Sequence, residues 1–173
     1  RPTPLHRRQR QMCIRDRHNH DAKAPRPSGL TKGKMMRIDH QNLWDLVLHR
    51  SQISPDVEIL VDEQGRRLTF LQYRDQAEEM AAGLQEQGIN QGDVVAWELP
   101  TWIETVILAA ALSRIGAIQN PIIAIYRERE VSFCVRQAGA KMLITPGDFR
   151  GFDFGEMGQN IDSEIPDLTH IAV

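Results

Sequence analysis

The sequence predicts an α/β domain: a partial parallel sheet with flanking helices and an N-terminal hairpin. Three observations carry this. From residue 94 onward, short apolar runs alternate with longer stretches at helical spacing, in the order Val94–Leu99, 102–115, Ala117–Asn120, 127–138 and Lys141–Thr145. Strand, helix, strand, helix, strand requires crossover connections and hence parallel strands. Val106–Leu112 is apolar at all seven positions, as befits a helix covered on most sides. Upstream, Val57–Val61 and Arg66–Phe70 flank Asp62-Glu63-Gln64-Gly65, a hairpin signature with glycine at the turn exit.

The elements follow in order. Asn42, with Asp45 three positions on, caps a helix over about 42–50 that carries Leu43, Leu46 and Val47 as a stripe. Ser54-Pro55 breaks it. After the hairpin, Thr69 and Gln72 form a capping box. The helix that follows places Tyr73, Ala77, Met80, Ala81 and Leu84 at helical spacing, with Gly88 as its C′ residue. Asn90-Gln91-Gly92-Asp93 turns the chain into the strand Val94–Leu99, which Pro100 ends. Thr101 and Glu104 predict a second capping box, for a buried helix from Trp102 to about Ile115 closed by Gly116. Ala117–Asn120 is a short strand stopped by Pro121. A helix from about Arg127 to Ala138 turns Val131, Cys134, Val135 and Ala138 to one face and ends at Gly139. Lys141–Thr145 is a strand closed by Pro146-Gly147, and the glycine-rich stretch 147–158 is a loop. His170–Val173 opens one more strand. A domain stopping inside a strand exposes an edge without its next crossover, so the expectation is a truncated domain.

The chain has 173 residues, 41% hydrophobic and 25% charged, an ordinary globular composition with enough length for one core. The longest apolar run falls far short of the roughly 20 residues of a membrane span, and no secretory signal opens the chain. Two cysteines, Cys13 and Cys134, are too few for a disulfide scaffold, which makes a reducing, cytoplasmic setting the expectation. The net charge of −2 hides a split. Residues 1–37 carry 11 Lys/Arg against 2 Asp/Glu, and residues 38–173 carry 10 against 21. Segment 1–37 lacks apolar periodicity and reads as a disordered basic tail. Within it, Arg1–Arg17 (RPTPLHRRQRQMCIRDR) resembles the translation of a sequencing-adapter read-through, which makes 1–17 an artefact and Met35 or Met36 a candidate native start. His18 and His20 lack the further ligands a zinc site needs.

No Walker loop, GxGxxG, HExxH, paired CxxC or GxSxG occurs. His40, His49 and His170 lie far apart and read as surface or satisfied histidines. Cys134, on an apolar helix face, reads as a buried, inert thiol. The stretch 147–158 interleaves Phe149, Phe152 and Phe154 with glycines, but Asp148, Asp153 and Glu156 would repel a phosphate, so it reads as an aromatic-anchored loop. Tyr126-Arg127-Glu128-Arg129-Glu130 reads as capping and salt-bridging charges at a helix start. Trp102 reads as core. Residues and spacing alone reach an α/β domain and stop short of a reaction.

A resemblance goes further. Leu68-Thr69-Phe70-Leu71-Gln72-Tyr73 resembles the first core motif of the adenylate-forming enzymes, the AMP-dependent synthetases and ligases. Leu99-Pro100-Thr101-Trp102-Ile103-Glu104 resembles their strand-to-helix segment, and Leu112–Pro121 (LSRIGAIQNP) resembles their second core motif. Gly88–Val95 (GINQGDVV) is similar to their connecting turn. Tyr126–Val131 and Phe149-Arg150-Gly151-Phe152-Asp153 resemble the acyl-CoA ligase branch, most of all the cyclohexanecarboxylate and medium-chain type.

The resemblance covers about residues 38–173 and implies the N-terminal part of the large AMP-binding domain. It implies an acid–CoA ligase (AMP-forming) as parent, using ATP, Mg²⁺ and coenzyme A on a carboxylic acid substrate. The carboxylate attacks ATP to give an acyl-adenylate and pyrophosphate, and the thiol of coenzyme A then displaces AMP. The family's Ser/Thr/Gly-rich phosphate loop ending in Pro-Lys, its later nucleotide motifs and its catalytic lysine have no counterpart here. No catalytic, cofactor-binding or metal-ligating residue is therefore assigned, and this stretch alone is expected to be inactive and to hold no cofactor tightly. Two other readings compete: a non-catalytic α/β module binding a small molecule or partner, and a nucleic-acid binder using the basic tail. The acidic remainder repels phosphate backbones, so no nucleic-acid partner is expected.

Overall fold

The computed structural model describes residues 41–173. The basic tail 1–37, with Cys13, His18, His20 and both candidate start methionines, lies outside the described residues, as does His40.

Helix α1 (Leu43–Ile53) begins where Asn42 accepts the Asp45 N–H at 2.9 Å and runs three residues past the expected end. Strands β1 (Glu58–Val61) and β2 (Arg67–Thr69) pair antiparallel as the expected hairpin. Its turn is tied by Asp62, whose carboxylate accepts the Gln64 and Arg66 N–H groups at 3.0 and 2.8 Å. Helix α2 (Phe70–Glu86) carries the complete capping box: Thr69 N–H to Gln72 Oε1 at 2.9 Å, and Gln72 N–H to Thr69 Oγ1 at 3.3 Å.

Strand β3 (Val94–Trp97) stops two residues before the expected Leu99, although the Glu98 N–H still reaches the Ile144 carbonyl at 2.8 Å. Helix α3 (Ile103–Ile115) lacks the expected Thr101–Glu104 capping box: Trp102 occupies the N-cap with no side-chain bond. The Glu104 carboxylate is taken by the Arg66 guanidinium instead. The Pro100 carbonyl receives the Trp102 N–H at 2.8 Å and the Thr105 hydroxyl at 2.7 Å, which fixes the entry into the helix by other means. Strand β4 (Ile118–Pro121) includes Pro121 rather than ending before it. It is an edge strand, and the ladder there runs through the Ile122 N–H to the Trp97 carbonyl at 2.8 Å, so the missing proline N–H is not needed.

Helix α4 (Glu128–Ala138) and strand β5 (Met142–Thr145) fall where expected. The segment 147–158 is not a loop. Strands β6 (Asp148–Phe149) and β7 (Phe152–Asp153) form a tight hairpin around Arg150 and Gly151, both at positive φ, as a type I′ turn requires. Helix α5 (Phe154–Glu164) follows, capped by Asp153, whose carboxylate accepts the Glu156 N–H at 2.8 Å. The apolar spacing of Phe154, Met157 and Ile161 was obscured by the glycines between them. Strand β8 (Thr169–Ala172) completes a four-stranded, all-parallel sheet in the order β4-β3-β5-β8.

Two helix layers cover this sheet. On one face, Ala81, Leu84, Leu108 and Leu112 of α2 and α3 pack on Val95, Trp97, Met142 and Ile144. On the other, Val131, Val135, Phe154, Met157 and Ile161 of α4 and α5 pack on Ala96 and Leu143. A third cluster joins α1 and the β1–β2 hairpin to the outer side of α2 and α3, where the Tyr73 hydroxyl donates to the Val106 carbonyl at 3.0 Å. Among the described residues no helix is long and apolar enough to cross a membrane.

Gly158 is set by contact, not by its φ. A Cβ there would lie 2.1 Å from His170 Nε2, and that ring is held by Thr145 Oγ1 at 2.8 Å. Gly158→Ala raises helix propensity by about 1 kcal/mol, but overpacking of this kind costs ~1–3 kcal/mol. Urea unfolding should show a net loss in Gly158→Ala. In a His170→Ala background the same substitution should stabilise.

Candidate functional site

In a doubly wound parallel sheet, ligands bind outside the carboxyl ends of strands where the chain leaves in opposite directions. Here that place lies between β3 and β5, neighbours in the sheet. Strand β3 feeds α3 on one face, and β5 leads through the β6–β7 hairpin to α5 on the other.

Two grooves open at these ends. One, of about 700 Å³, runs between the β1–β2 turn, the entry to α3, and Phe149 with Arg150. The other, of about 490 Å³, is apolar and lined by Leu99, Ile144 and Ile171 among others. Trp102 lines both, and its ring meets Phe149 edge-on at 5.8 Å. Trp102 is thus half-buried at a groove wall rather than part of a closed core.

Behind these grooves sits Glu98, which the sequence reading passed over as a strand residue. It is 0% exposed, and neither carboxylate oxygen has a hydrogen-bond partner. Burial pushes its carboxyl up to about 7, against the pull of the Arg127 guanidinium and the Tyr126 backbone amide. The signal was present: alternation from Val94 puts Glu98 on the face of Ala96, the face that α4 and α5 cover.

The same face carries Thr145 and His170. The Thr145 hydroxyl donates to the Phe154 carbonyl at 3.2 Å and therefore accepts from His170 Nε2 at 2.8 Å. Burial lowers the His170 pKa, with Asp162 opposing. His170 is a satisfied histidine, as expected. His49 lies far along the chain on α1. Cys134 is half-buried rather than buried, because α4 faces solvent on that side through Phe133. In the Tyr126–Glu130 segment, Glu128 and Glu130 stand in the first turn of α4 as expected, but Arg127 occupies the N-cap without a side-chain cap, and its guanidinium lies over Phe152 and Phe154 at 4.2 and 5.3 Å. Among the described residues no three His, Cys, Asp or Glu converge in a way that could hold a metal ion.

The sequence profile of the AMP-binding enzymes matches residues 48–171. This chain belongs to the AMP-binding enzyme family. The medium-chain fatty-acid–CoA ligase of Escherichia coli is 27% identical over 138 residues, covering 76% of this chain and 24% of that protein. The 2,3-dihydroxybenzoate-AMP ligase of Bacillus subtilis is 34% identical over 108 residues, covering 61% of this chain and 20% of that enzyme. A crystal structure described as a long-chain-fatty-acid CoA ligase from Rhodopseudomonas palustris superposes with a TM-score of 0.67 at 25% identity, over 76% of this chain and 32% of that one. The chain thus spans about a fifth to a quarter of the curated relatives' length. The doubly wound sheet with its N-terminal hairpin is the N-terminal architecture of this AMP-binding family, as the sequence predicted.

Glu98 predicts a pH dependence. Its folded-state pKa is raised from 4.5 to about 7, so its contribution to stability is full below pH 4.5, falls between 4.5 and 7, and is lost above 7. His170, with a lowered pKa, contributes with the opposite slope up to about pH 6.5. The difference between wild type and Glu98→Gln isolates the first effect. In urea titrations, Glu98→Gln should gain stability relative to wild type as pH rises from 5 to 8. A pH-independent difference would refute the assignment.

Proposed function

We propose that this sequence is the N-terminal part of an acid–CoA ligase that forms an acyl-adenylate from a carboxylic acid and ATP, then transfers the acyl group to coenzyme A. The observation that carries this is the family match over 48–171 on a sheet of the family's topology. The relatives' names support the acid–CoA branch, and the medium-chain type in particular. A carboxylate is a poor electrophile, and adenylation supplies the leaving group that a thiol can displace.

The residues present do not by themselves fit the nucleotide and its Mg²⁺. No acidic cluster converges among the described residues, and Glu98 is sealed from solvent. The phosphate loop of the family is not in this sequence. On this reading residues 38–173 supply scaffold: they hold the carboxyl ends of β3, β5 and β8 in register, against which the remaining machinery is built. A cytoplasmic enzyme in which residues 1–17 are an artefact completes the proposal.

Acid-dependent ATP–pyrophosphate exchange tests it. The 173-residue chain should show none with C6–C10 fatty acids or cyclohexanecarboxylate. The open frame extended downstream from the source DNA should show it. Exchange by the 173-residue chain would refute the scaffold reading. An extended frame without a Ser/Thr/Gly-rich loop ending in Pro-Lys would refute the ligase reading.

A further inference from the structure

We propose that the outer edge of β8 is a self-pairing surface. Two copies of this chain join there by antiparallel β8–β8 pairing about a two-fold axis at Ile171, which makes one continuous sheet from two four-stranded ones. This inference stands on the backbone of the sheet edge and is independent of the ligase reading.

The two edges of the sheet differ in what they offer. The strand order β4-β3-β5-β8 leaves β4 and β8 with one free edge each. Backbone groups of successive strand residues point to opposite edges. On β4 the Ile118 and Ile122 N–H groups reach the Asp93 and Trp97 carbonyls at 2.8 Å each. Gln119 and Pro121 therefore face outward, and proline has no N–H to give, so that edge is blunted. On β8 the Thr169 and Val173 N–H groups reach the Lys141 and Thr145 carbonyls at 3.0 Å each. His170 and Ala172 therefore face outward, each with an N–H and a carbonyl to offer. Val173 stays in the ladder, its carbonyl accepting the Gly147 N–H at 2.9 Å, so the chain does not fold back over this edge. Among the described residues nothing pairs with the outer side of β8.

A second copy suits this edge in charge, in backbone and in side chains. Residues 168–173 carry no Asp, Glu, Lys or Arg. A two-fold axis brings the same strand against itself, and like charges facing each other across a strand pair would oppose that. An axis at Ile171 sets His170 of each copy opposite Ala172 of the other, as a hydrogen-bonded pair on either side of the axis. Every outward N–H and carbonyl of these two residues then has a partner. Ile171 itself lines the apolar groove of about 490 Å³, with Val173, Ile144, Met80, Leu84 and Leu108. An axis normal to the sheet keeps the α2–α3 faces of both copies on one side. The two grooves then adjoin, and each Ile171 is covered by its counterpart.

Sedimentation velocity of the 173-residue chain tests this. Its weight-average mass should rise with concentration from 19.7 kDa toward twice that value. In amide hydrogen exchange the His170 and Ala172 N–H groups should gain protection as the chain associates, while the Ile171 N–H, inside the β5–β8 ladder, is protected throughout. Ala172→Pro removes one outward N–H and leaves the ladder to β5 whole, so it should be folded by circular dichroism and monomeric. Ala172→Lys places a charge on an exposed position of the edge and should also be monomeric. It decides the question if the proline variant does not fold. Ile118→Lys, on the blunted edge, should associate like wild type. A chain that stays monomeric at every concentration would overturn the proposal. So would a dimer that persists in folded Ala172→Pro or Ala172→Lys, one whose His170 and Ala172 amides stay unprotected, or association lost in Ile118→Lys.

Discussion

Strand β3 has both edges hydrogen-bonded, to β4 and β5, and both faces covered by helices. Every side chain from Val94 to Glu98 must therefore be apolar or have its polar atoms supplied by a neighbour. Four of the five obey by composition. Val95 and Trp97 fill the α2–α3 face, and Val94 and Ala96 fill the other. Glu98 is the exception, and it stands where the strand leaves the sheet. The constraint that makes the fold also makes this carboxylate costly. A position that breaks a local rule at the end of a central strand is where functional demands are expected to show.

The remaining layers follow from how closely each helix can approach that sheet. Helix α3 is apolar almost all round because it lies between the sheet and the α1–hairpin layer, with Ile107 and Ala110 facing outward and Leu108 and Ala111 facing inward. Helix α5 meets β8 at close quarters, and Gly158 makes this possible. At Gly158 the space a Cβ would fill belongs to the His170 ring, whereas at Gly155 the nearest atom is the Asp153 carboxylate oxygen at 3.2 Å. The same ring is fixed by Thr145, which is fixed by the Phe154 carbonyl at the head of α5. Helix, strand end and histidine thus form one connected unit.

The sequence was most legible where a local rule and the tertiary structure agree. The Thr69–Gln72 capping box, the left-handed glycines closing α3 and α4, and the strand–helix alternation all read directly. It was least legible where a tertiary contact replaced a local one. Glu104 has the right spacing to cap α3 with Thr101, but Arg66 of the hairpin, 38 positions earlier, competes for it and wins. Gly158 read as a loop residue because its reason, the approach to β8, lies beyond Leu168 in the chain. Arg127 read as a salt-bridging charge because the rings it covers, Phe152 and Phe154, lie 25 or more residues downstream. The family itself was legible through the order and spacing of its motifs.

That asymmetry has a physical basis. A parallel sheet concentrates its ligand chemistry at the carboxyl ends of its strands, and the donors that act there come from the loops that follow them. In residues 41–173 three strands of the main sheet have their following loops present. Those loops are spent on structure: Pro100 and Thr105 fix the entry to α3, Arg127 covers two phenyl rings, and Asp153 caps α5. Two charged groups near these strand ends stand apart from those roles, Glu98 and Arg150. Glu98 is sealed behind the sheet end, and Arg150 stands exposed at a hairpin tip over Phe149. The two flank the place where β3 and β5 diverge, one as a latent charge and one as an open one. What this stretch contributes is the shape and electrostatic setting of a strand-end crevice.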